Sequence, residues 1–402
     1  MRKRFSSLTP YVALVFVTLG IPVVAPAQTY TFSTLYSFKN NSTDPEFPQA
    51  ALVIDSAGNL YGTSSSGGSN HVECNLGCGT VFKVSKTGVL RVLHDFVNAP
   101  DGENPQTSLF RDSKGNLYGS TEGGGSGGCG TVFKITSAGV ESVLYSFLCG
   151  TDGFSPSSVV LDPLGNIYGT AMTNDDHGLV FEIDTSNNFS VLYNFCSKTS
   201  CADGELPEGG VVRDTEGNLY GTTNFGGTNL SGVVFKLTPE GTETVLHDFA
   251  AKQGDGLYPF YNLIQDGKGN LYGVTPQGGA HDPFDLNGRG GTLYKQPEAG
   301  GTETVLYSFC ALTSCRDGYS PTGPVVMDAA GNFYSTTLGS SSSAGAVVWK
   351  LSGATGKESV LHSFGKVEIN SGLVSDGAGN LYGTTFTGGT AKLGSVYKLT
   401  LK

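Results

Sequence analysis

The residues of this chain that are best suited to chemistry are aspartates in a recurring motif, Asp-Gly-x-x-Pro. Its five complete copies begin at Asp101, Asp152, Asp203, Asp255 and Asp317. Carboxylate oxygens can hold a hard cation such as Ca²⁺ or accept hydrogen bonds from sugar hydroxyls. Asp-Gly is also a turn former, and the proline would make that turn rigid. A single site rarely needs five identical donors, so the turn is the favoured interpretation, and Ca²⁺ is the one cofactor that the motif leaves open.

The second candidate is the longest insertion between two predicted strands, residues 278–291, which contains His281, Asp282 and Asp285. We expect it on the same face as the Asp-Gly loops, because alternating strand directions bring every second connection to the same edge. Loops on rigid scaffolds often carry function, yet the spacing is not that of a calcium loop. These three residues and the five aspartates are the predicted ligand-binding residues, with a solvated loop as the favoured alternative for the insertion.

The sequence assigns no catalytic residue. No serine or cysteine lies in a nucleophile-elbow pattern, and three histidines, His94, His247 and His362, occupy a strand position that is tyrosine in other repeats. A carboxylate pair for glycoside cleavage stays open, because separation in space cannot be read from the sequence. The prediction therefore leans away from an enzyme.

The eight cysteines form an even set, which in an exported chain favours disulfide bonds. Two pairs recur at the same place in the repeat, Cys196 with Cys201 and Cys310 with Cys315, each just before an Asp-Gly. The remaining predicted pairs are Cys74 with Cys78 and Cys129 with Cys149. A zinc site formed by His71, Cys74 and Cys78 is the alternative, although this spacing offers no clear fourth ligand.

The first 27 residues have the pattern of a secretory signal. A basic start, Met1–Arg4, precedes an apolar run over residues 11–24 and a small-x-small cleavage site at residues 25–27. We therefore expect a mature chain of residues 28–402 outside the cytoplasm, either secreted or at the cell surface. No second long apolar stretch follows, so the mature chain is predicted to lack a membrane span.

The charge of the chain limits the classes of partner that we expect it to bind. Its formal net charge is −11, and an acidic surface repels the phosphate backbone of nucleic acids. Nucleic acid is thus an unfavoured partner. A glycan, peptide or protein ligand fits better, and nothing in the sequence indicates more than a monomer.

The elements that must position these residues come from an internal repeat. The segment Gly-Asn-Leu-Tyr-Gly-Thr and its close variants occur seven times, 48 to 62 residues apart. The copies begin at Gly58, Gly115, Gly165, Gly217, Gly269, Gly331 and Gly379. Each repeat holds four short segments rich in Val, Leu, Tyr, Phe and Thr that are bounded by turn residues, which is typical of β-strands. Repeats of this period and content predict a propeller.

The predicted fold is therefore all-β, a seven-bladed β-propeller with four strands in each blade and a single domain. The chain begins with a lone strand at residues 31–38, and its last repeat, residues 372–401, holds three strands. We expect the first strand to complete the last blade, because closing the ring in this way removes an exposed sheet edge.

The repeat resembles a known family. The blocks Gly-Asn-Leu-Tyr-Gly-Thr-Thr-x-x-Gly-Gly at residues 217–227, Gly-Val-Val-Phe-Lys-Leu-Thr at 232–238 and Val-Leu-His-Asp-Phe at 245–249 are similar to the GloVer tandem repeat of Gloeobacter and Verrucomicrobia. The resemblance implies an exported or surface protein, often with a C-terminal sorting anchor, which the sequence after the last repeat does not lead us to expect here. It implies no established activity and no catalytic residues.

These observations favour an exported, non-catalytic binding module with its ligand on the Asp-Gly loop face. One alternative is an extracellular polysaccharide hydrolase or lyase that uses carboxylates in the central channel. Another is a structural surface protein.

Overall fold

A computed structural model of the chain describes residues 29–70, 74–250, 252, 254–281, 290–338 and 345–402. Within these ranges the chain forms seven four-stranded antiparallel sheets arranged as the blades of a ring. The fold is a seven-bladed β-propeller, as the repeat predicts. Two single turns of 3₁₀ helix, Thr199–Cys201 and Thr313–Cys315, are the helical elements of the described residues. None of these described helices has the length and apolar character that a membrane crossing requires.

Each blade consists of an inner, a second, a third and an outer strand, in that order from the axis to the rim. Blades 1 to 3 contain Val53–Ile54, Leu60–Ser64, Thr80–Val84 and Leu90–Asp95; Phe110–Arg111, Leu117–Thr121, Thr131–Ile135 and Glu141–Ser146; and Val160–Leu161, Ile167–Ala171, Leu179–Ile183 and Phe189–Asn194. Blades 4 and 5 contain Val212–Arg213, Leu219–Thr223, Val233–Leu237 and Glu243–Asp248; and Ile264–Gln265, Asn270–Thr275, Thr292–Pro297 and Thr304–Ser308. Blades 6 and 7 contain Tyr319–Met327, Phe333–Leu338, Val347–Leu351 and Glu358–Ser363; and Val374–Ser375, Leu381–Thr385, Ser395–Leu401 and Tyr30–Ser37.

The ring closes through the first strand of the chain. Tyr30–Ser37 pairs antiparallel with Ser395–Leu401, from Tyr30 opposite Leu401 to Ser37 opposite Ser395. The predicted completion of the last blade by the N-terminal strand is confirmed. Ser395–Leu401 thereby has a paired strand on each side, and Tyr30–Ser37 becomes the outer strand of blade 7.

The hydrophobic core lies between neighbouring blades. The outer-strand aromatic Phe96 of blade 1 packs edge-on against Phe133 of blade 2, with ring centroids 5.1 Å apart, and both side chains are fully buried. Burying one such side chain contributes about 2 kcal/mol. Gly119 lies beneath this contact, where an added Cβ would come within 2.6 Å of the Phe133 ring. The glycine of the Tyr-Gly-Thr segment therefore makes room for the phenylalanine of the next strand.

The hydroxyl of the Tyr-Gly-Thr segment joins one blade to the next. Thr170 of blade 3 donates to the backbone oxygen of Pro207, at 2.7 Å, in the chain entering blade 4. Thr63 and Thr336 make the equivalent bonds to Thr107 and Ser371 of their neighbouring blades. Hydrogen-bonding a buried hydroxyl removes the cost of burying it unpaired, so this polar position belongs to the interior of the ring.

All eight cysteines are paired as the sequence predicts. The four disulfide bonds are Cys74–Cys78, Cys129–Cys149, Cys196–Cys201 and Cys310–Cys315. Because Cys74 and Cys78 are bonded to each other, neither offers the free thiolate that the alternative zinc site needs. Its third residue, His71, lies outside the described residues.

Candidate functional site

The Asp-Gly loops and the connections between the second and third strands meet on one face of the ring, which we call the loop face. In blade 5, for example, Gly256–Leu257 of an Asp-Gly loop pairs with Gln277–Gly278 at the start of the insertion. The insertion therefore begins on the loop face, where the sequence places it. His281 is exposed there, while Asp282 and Asp285 lie outside the described residues.

Each predicted Asp-Gly carboxylate is bound to the outer strand that precedes it. The ring partners are His94 for Asp101 at 2.8 Å, Tyr145 for Asp152 at 3.0 Å, Tyr193 for Asp203 at 2.7 Å, His247 for Asp255 at 3.2 Å and Tyr307 for Asp317 at 2.9 Å. Each of these carboxylates also accepts a backbone N–H from its own loop.

The structure does not bring the five carboxylates together. Because each one contacts the outer strand of its own blade, it lies towards the rim of the ring, away from the inner strands that surround the axis. We call each such place, where one blade's outer strand and Asp-Gly loop meet the next blade, a blade junction. The ligand-binding role of the five aspartates stays a prediction, and their hydrogen bonds support the turn interpretation.

A different set of residues surrounds the axis on the loop face. They line a cavity of about 330 Å³ to which all seven blades contribute, and we call it the channel mouth. Five of its residues occupy one repeat position, six residues before the aspartate of the Asp-x-x-Gly-Asn turn. They are Gln49, Gln106, Glu208, Phe260 and Asn370. This position lies four residues before the start of the inner strand, which is the strand nearest the axis, and its residues line the channel.

Blade 5 supplies the aromatic wall of the channel mouth. Phe260 is 40% exposed, and its ring meets that of Tyr261 edge-on with centroids 5.1 Å apart. The Tyr261 hydroxyl hydrogen-bonds the backbone of Gly323 in blade 6, and burial raises the pKa of Tyr261 to about 12. A neutral phenol fixed in this way and an exposed phenyl ring form a rigid apolar surface beside the amide of Asn262.

The channel mouth contains one carboxylate among its described lining residues, that of Glu208. Burial raises its pKa, and the side-chain amide of Asn224, which donates to Oε2 at 2.9 Å, opposes that shift. Glycosidases generally use two carboxylates on either side of the scissile bond. Glu208 could thus accept or donate a hydrogen bond to a ligand, but the described lining provides no second acid to complete that reaction.

Sequence reasoning missed the residues of the channel mouth. The signal that could have found them is irregularity, since their shared position holds Gln, Glu, Phe or Asn while the motifs on either side repeat almost unchanged. A position whose residue only had to pack against a neighbouring residue would be expected to repeat as regularly as those motifs do. The carboxylates of the Asp-Gly motif drew attention because of their chemistry, whereas this position is distinguished by where it lies.

These features define the class of protein as a closed seven-bladed propeller with a polar and aromatic cavity at one end of its axis. The model of the Gloeobacter/Verrucomicrobia repeat matches residues 23–176, which confirms that the chain carries this repeat. No curated protein matches the sequence.

Solved structures share the fold at low sequence identity. The extracellular domain of a candidate hybrid two-component system from B. thetaiotaomicron matches with a TM-score of 0.56 and 15% identity, over 92% of this chain and 41% of that one. The extracellular domain of a candidate one-component system from the same organism gives 0.56 and 10%, over 91% and 39%. The chain thus spans about two fifths of the length of these structures. A gluconolactonase from Xanthomonas campestris matches with a TM-score of 0.46 and 13% identity, over 93% of this chain and 90% of that one.

Proposed function

We propose that the protein is an exported, non-catalytic binding module that holds a glycan at the channel mouth of its loop face. The observation that carries this proposal is the composition of the cavity, whose lining combines the aromatic residues Phe260 and Tyr261 with the amide-bearing residues Gln49, Asn262 and Asn370. A sugar ring presents an apolar face that packs against aromatic rings and hydroxyls that pair with amides. Pockets of a few hundred Å³ with few polar groups are typical of small-ligand sites.

The size of the cavity favours the end of a chain as the bound part. A volume of about 330 Å³ lies at the lower end of the range for small-ligand pockets. We therefore expect a terminal sugar or short oligosaccharide to enter the channel mouth, with the rest of the polymer lying across the loop face.

Two observations support export as part of the proposal. The chain contains four disulfide bonds, which persist in oxidising compartments. The two structures with the higher TM-scores are extracellular domains. Residues 1–27, the proposed signal, lie outside the described residues.

The proposal is tested with purified residues 28–402 and a panel of soluble and insoluble polysaccharides, with and without a calcium chelator. Depletion of the protein from solution measures binding, and released sugars measure catalysis. We expect depletion without products, and we expect Phe260→Ala to abolish it. Phe225→Ala is the matched control, because Phe225 is an aromatic of the same loop face with a similar exposure, 36%, outside the cavity lining.

Each other outcome points elsewhere. Released sugars would replace the binding module with the hydrolase or lyase alternative, and Glu208 would then be the first residue to mutate. Binding lost on chelation would bring calcium and the Asp-Gly carboxylates back into the site. No depletion by any polysaccharide would overturn the glycan proposal and leave a peptide or protein ligand or a structural role.

A further inference from the structure

Two blade junctions hold a constellation that the channel mouth does not use. At the junction of blades 1 and 2, His94 of the outer strand, Asp101 of the Asp-Gly loop and Glu141 of the next blade each offer one potential ligand atom. These atoms all lie within 4.8 Å of one another. The junction of blades 4 and 5 repeats the arrangement. Its members are His247, Asp255 and Glu303.

We propose that these two junctions are metal sites, each of which takes a divalent transition-metal cation, with Zn²⁺ as the reference ion. Imidazole nitrogen suits zinc, copper and nickel, and carboxylate oxygen can complete their coordination. Calcium fits less well, because it takes six to eight oxygen ligands and each constellation offers one nitrogen and two carboxylates.

The distances suit such an ion. Zinc ligands lie about 2.0–2.2 Å from the metal, so neighbouring ligand atoms of a tetrahedral site are about 3.3 Å apart. The His247 Nε2 and Asp255 Oδ1 atoms are 3.2 Å apart, and the corresponding His94 and Asp101 atoms are 2.8 Å apart. Small side-chain shifts therefore open the space for a cation. Each imidazole is held edge-on by a phenylalanine two residues further on, with centroids 4.6 Å apart at His94 and 4.5 Å apart at His247.

Unpaired oxygens provide a second and independent observation. Asp101 is nine-tenths buried, with 9% exposure, yet its Oδ1 atom has no hydrogen-bond partner among the described residues. The same holds for the buried Oε1 atoms of Glu141 and Glu303. A buried carboxylate oxygen without a donor leaves the cost of removing it from water uncompensated. A bound cation would coordinate these oxygens. It would also offset the negative charge of two carboxylates that face a single imidazole.

The two sites should differ in affinity. At the second site the Lys252 ammonium already lies 3.4 Å from Asp255 Oδ2, so a metal ion must compete with it. No lysine or arginine forms an ion pair with Asp101 or Glu141 within the described chain. We expect the junction of blades 1 and 2 to be the tighter site.

The chain contains its own control for these sites. Two other junctions have the same aspartate and glutamate positions but a tyrosine in place of the histidine: Tyr193, Asp203 and Glu243, and Tyr307, Asp317 and Glu358. Burial raises the pKa of both tyrosines, which keeps their phenols protonated and poor as metal ligands. His94→Tyr and His247→Tyr thus remove the proposed ligand and install a residue that the fold already accepts there.

The experiment uses residues 28–402 stripped of metal with a chelator and titrated with zinc chloride in a calorimeter. The same titration with Co²⁺ is read by its visible absorption, which reports a tetrahedral site. We expect two equivalents for the wild type, one for each single tyrosine variant and none for the double variant. His362→Tyr is the control and should keep both equivalents, because His362 stacks on Phe32 at 4.2 Å away from any Asp-Gly carboxylate.

Thermal unfolding of the metal-free variants shows whether the substitutions preserve the fold. An unchanged midpoint with lost zinc binding supports the proposal. A wild type that binds no zinc, or a folded double variant that still binds two equivalents, would overturn it. Neither result depends on whether the channel mouth binds a glycan.

Discussion

The blade junctions and the channel mouth lie on the same face of the ring and differ in how regular they are. At the junctions, nearly every blade repeats an aromatic or imidazole ring and an aspartate, and those side chains are bound to one another. At the channel mouth one repeat position holds four different residue types, with side chains that face the cavity. The repeated polar residues thus bind each Asp-Gly loop to the outer strand of its own blade, whereas the varied residues line the cavity in which we propose that a ligand binds.

Two of the junctions differ in the charges that surround their repeated carboxylates. Blades 3 and 4 meet at Asp203 and Glu243, and there Lys198 lies 2.5 Å from the glutamate. Blades 5 and 6 meet at the corresponding Asp317 and Glu358, where the position of the lysine is Leu312. Both loops contain the Thr-Ser-Cys turn and its disulfide bond, and they differ further in having Ser197 and Ala202 in the first loop where the second has Ala311 and Arg316. Burial raises the pKa of Glu358, and the charge of Asp317, which no lysine neutralises there, raises it further.

The largest expected effect comes from removing a junction carboxylate. Asp203→Ala leaves Tyr193, Ser197 and the backbone N–H of Lys198 without their acceptor in a fully buried place. Losing one partner of a buried charged network typically costs about 3–5 kcal/mol. We expect the free energy of unfolding in urea to fall by about 3 kcal/mol or more, and glycan binding by the folded fraction to persist.

Asp184→Ala is the control for that prediction. Asp184 is partly exposed and bonds its own hairpin turn, through Ser186 and Asn188, so we expect a much smaller loss than for Asp203→Ala. Equal losses for the two variants would show that the buried junction adds no more than an ordinary turn.

The next effect depends on pH. Burial, followed by the charge of Asp317, raises the pKa of Glu358 to about 7, above its ordinary value near 4.5. The folded chain then holds a proton that the unfolded chain has lost, so stability falls as the pH rises from about 4.5 through 7. Glu358→Gln should stabilise the protein by about 1–2 kcal/mol at about pH 8, after allowance for partial exposure, and change little at about pH 4.

Glu243→Gln is the matched control, because Lys198 already neutralises that carboxylate. Burial raises the pKa of Glu243 as well, but the Lys198 ammonium opposes that shift, so we expect this variant to gain less stability at about pH 8 than Glu358→Gln does. Urea unfolding at both pH values measures the two effects. If Glu358→Gln gave the same change at both values, Glu358 would not be held protonated in the folded chain.

The smallest expected effect comes from replacing Leu312 of one junction by the lysine that the other junction has at the same position. Leu312→Lys places a cation where blade 4 has one, and it should lower the pKa of Glu358 and stabilise the chain by about 0.5–1 kcal/mol at about pH 8. The gain is limited because the lysine side chain would be half exposed, as Lys198 is at 50%. A decrease in the thermal midpoint would show that the leucine contributes more by packing than the lysine does by charge.

The fold could be predicted from the sequence because seven copies of one signal support each other. The glycine at Gly119 and its equivalents, the hydroxyl of Thr170 and its equivalents and the Asp-x-x-Gly-Asn turns recur at fixed places, so an error in one copy is corrected by the others. Closure of the ring followed from counting strands, since the last repeat lacked one. Two disulfide pairs, Cys196–Cys201 and Cys310–Cys315, followed from their shared position in the repeat, whereas the repeat gives no such support for the other two.

The candidate site could not be predicted in the same way. The fold of its loop turns the Asp101 carboxylate towards His94. The residue types of that loop would suit a ligand-binding turn equally well, so they do not predict where the carboxylate points. Phe260 and Gln49 have nothing in their residue types that marks them as neighbours. They meet only because seven inner strands surround one axis, a relation that links blades from opposite sides of the ring.

We propose that ligand binding depends on the irregular channel mouth and not on the regular junctions. It is tested most directly by measuring polysaccharide depletion with two folded variants, Phe260→Ala and Asp317→Asn, beside the wild type. We predict that Phe260→Ala loses binding while its stability changes little, and that Asp317→Asn keeps binding although it is less stable. Binding that survives Phe260→Ala and disappears with Asp317→Asn would contradict the claim and move the site to the Asp-Gly carboxylates.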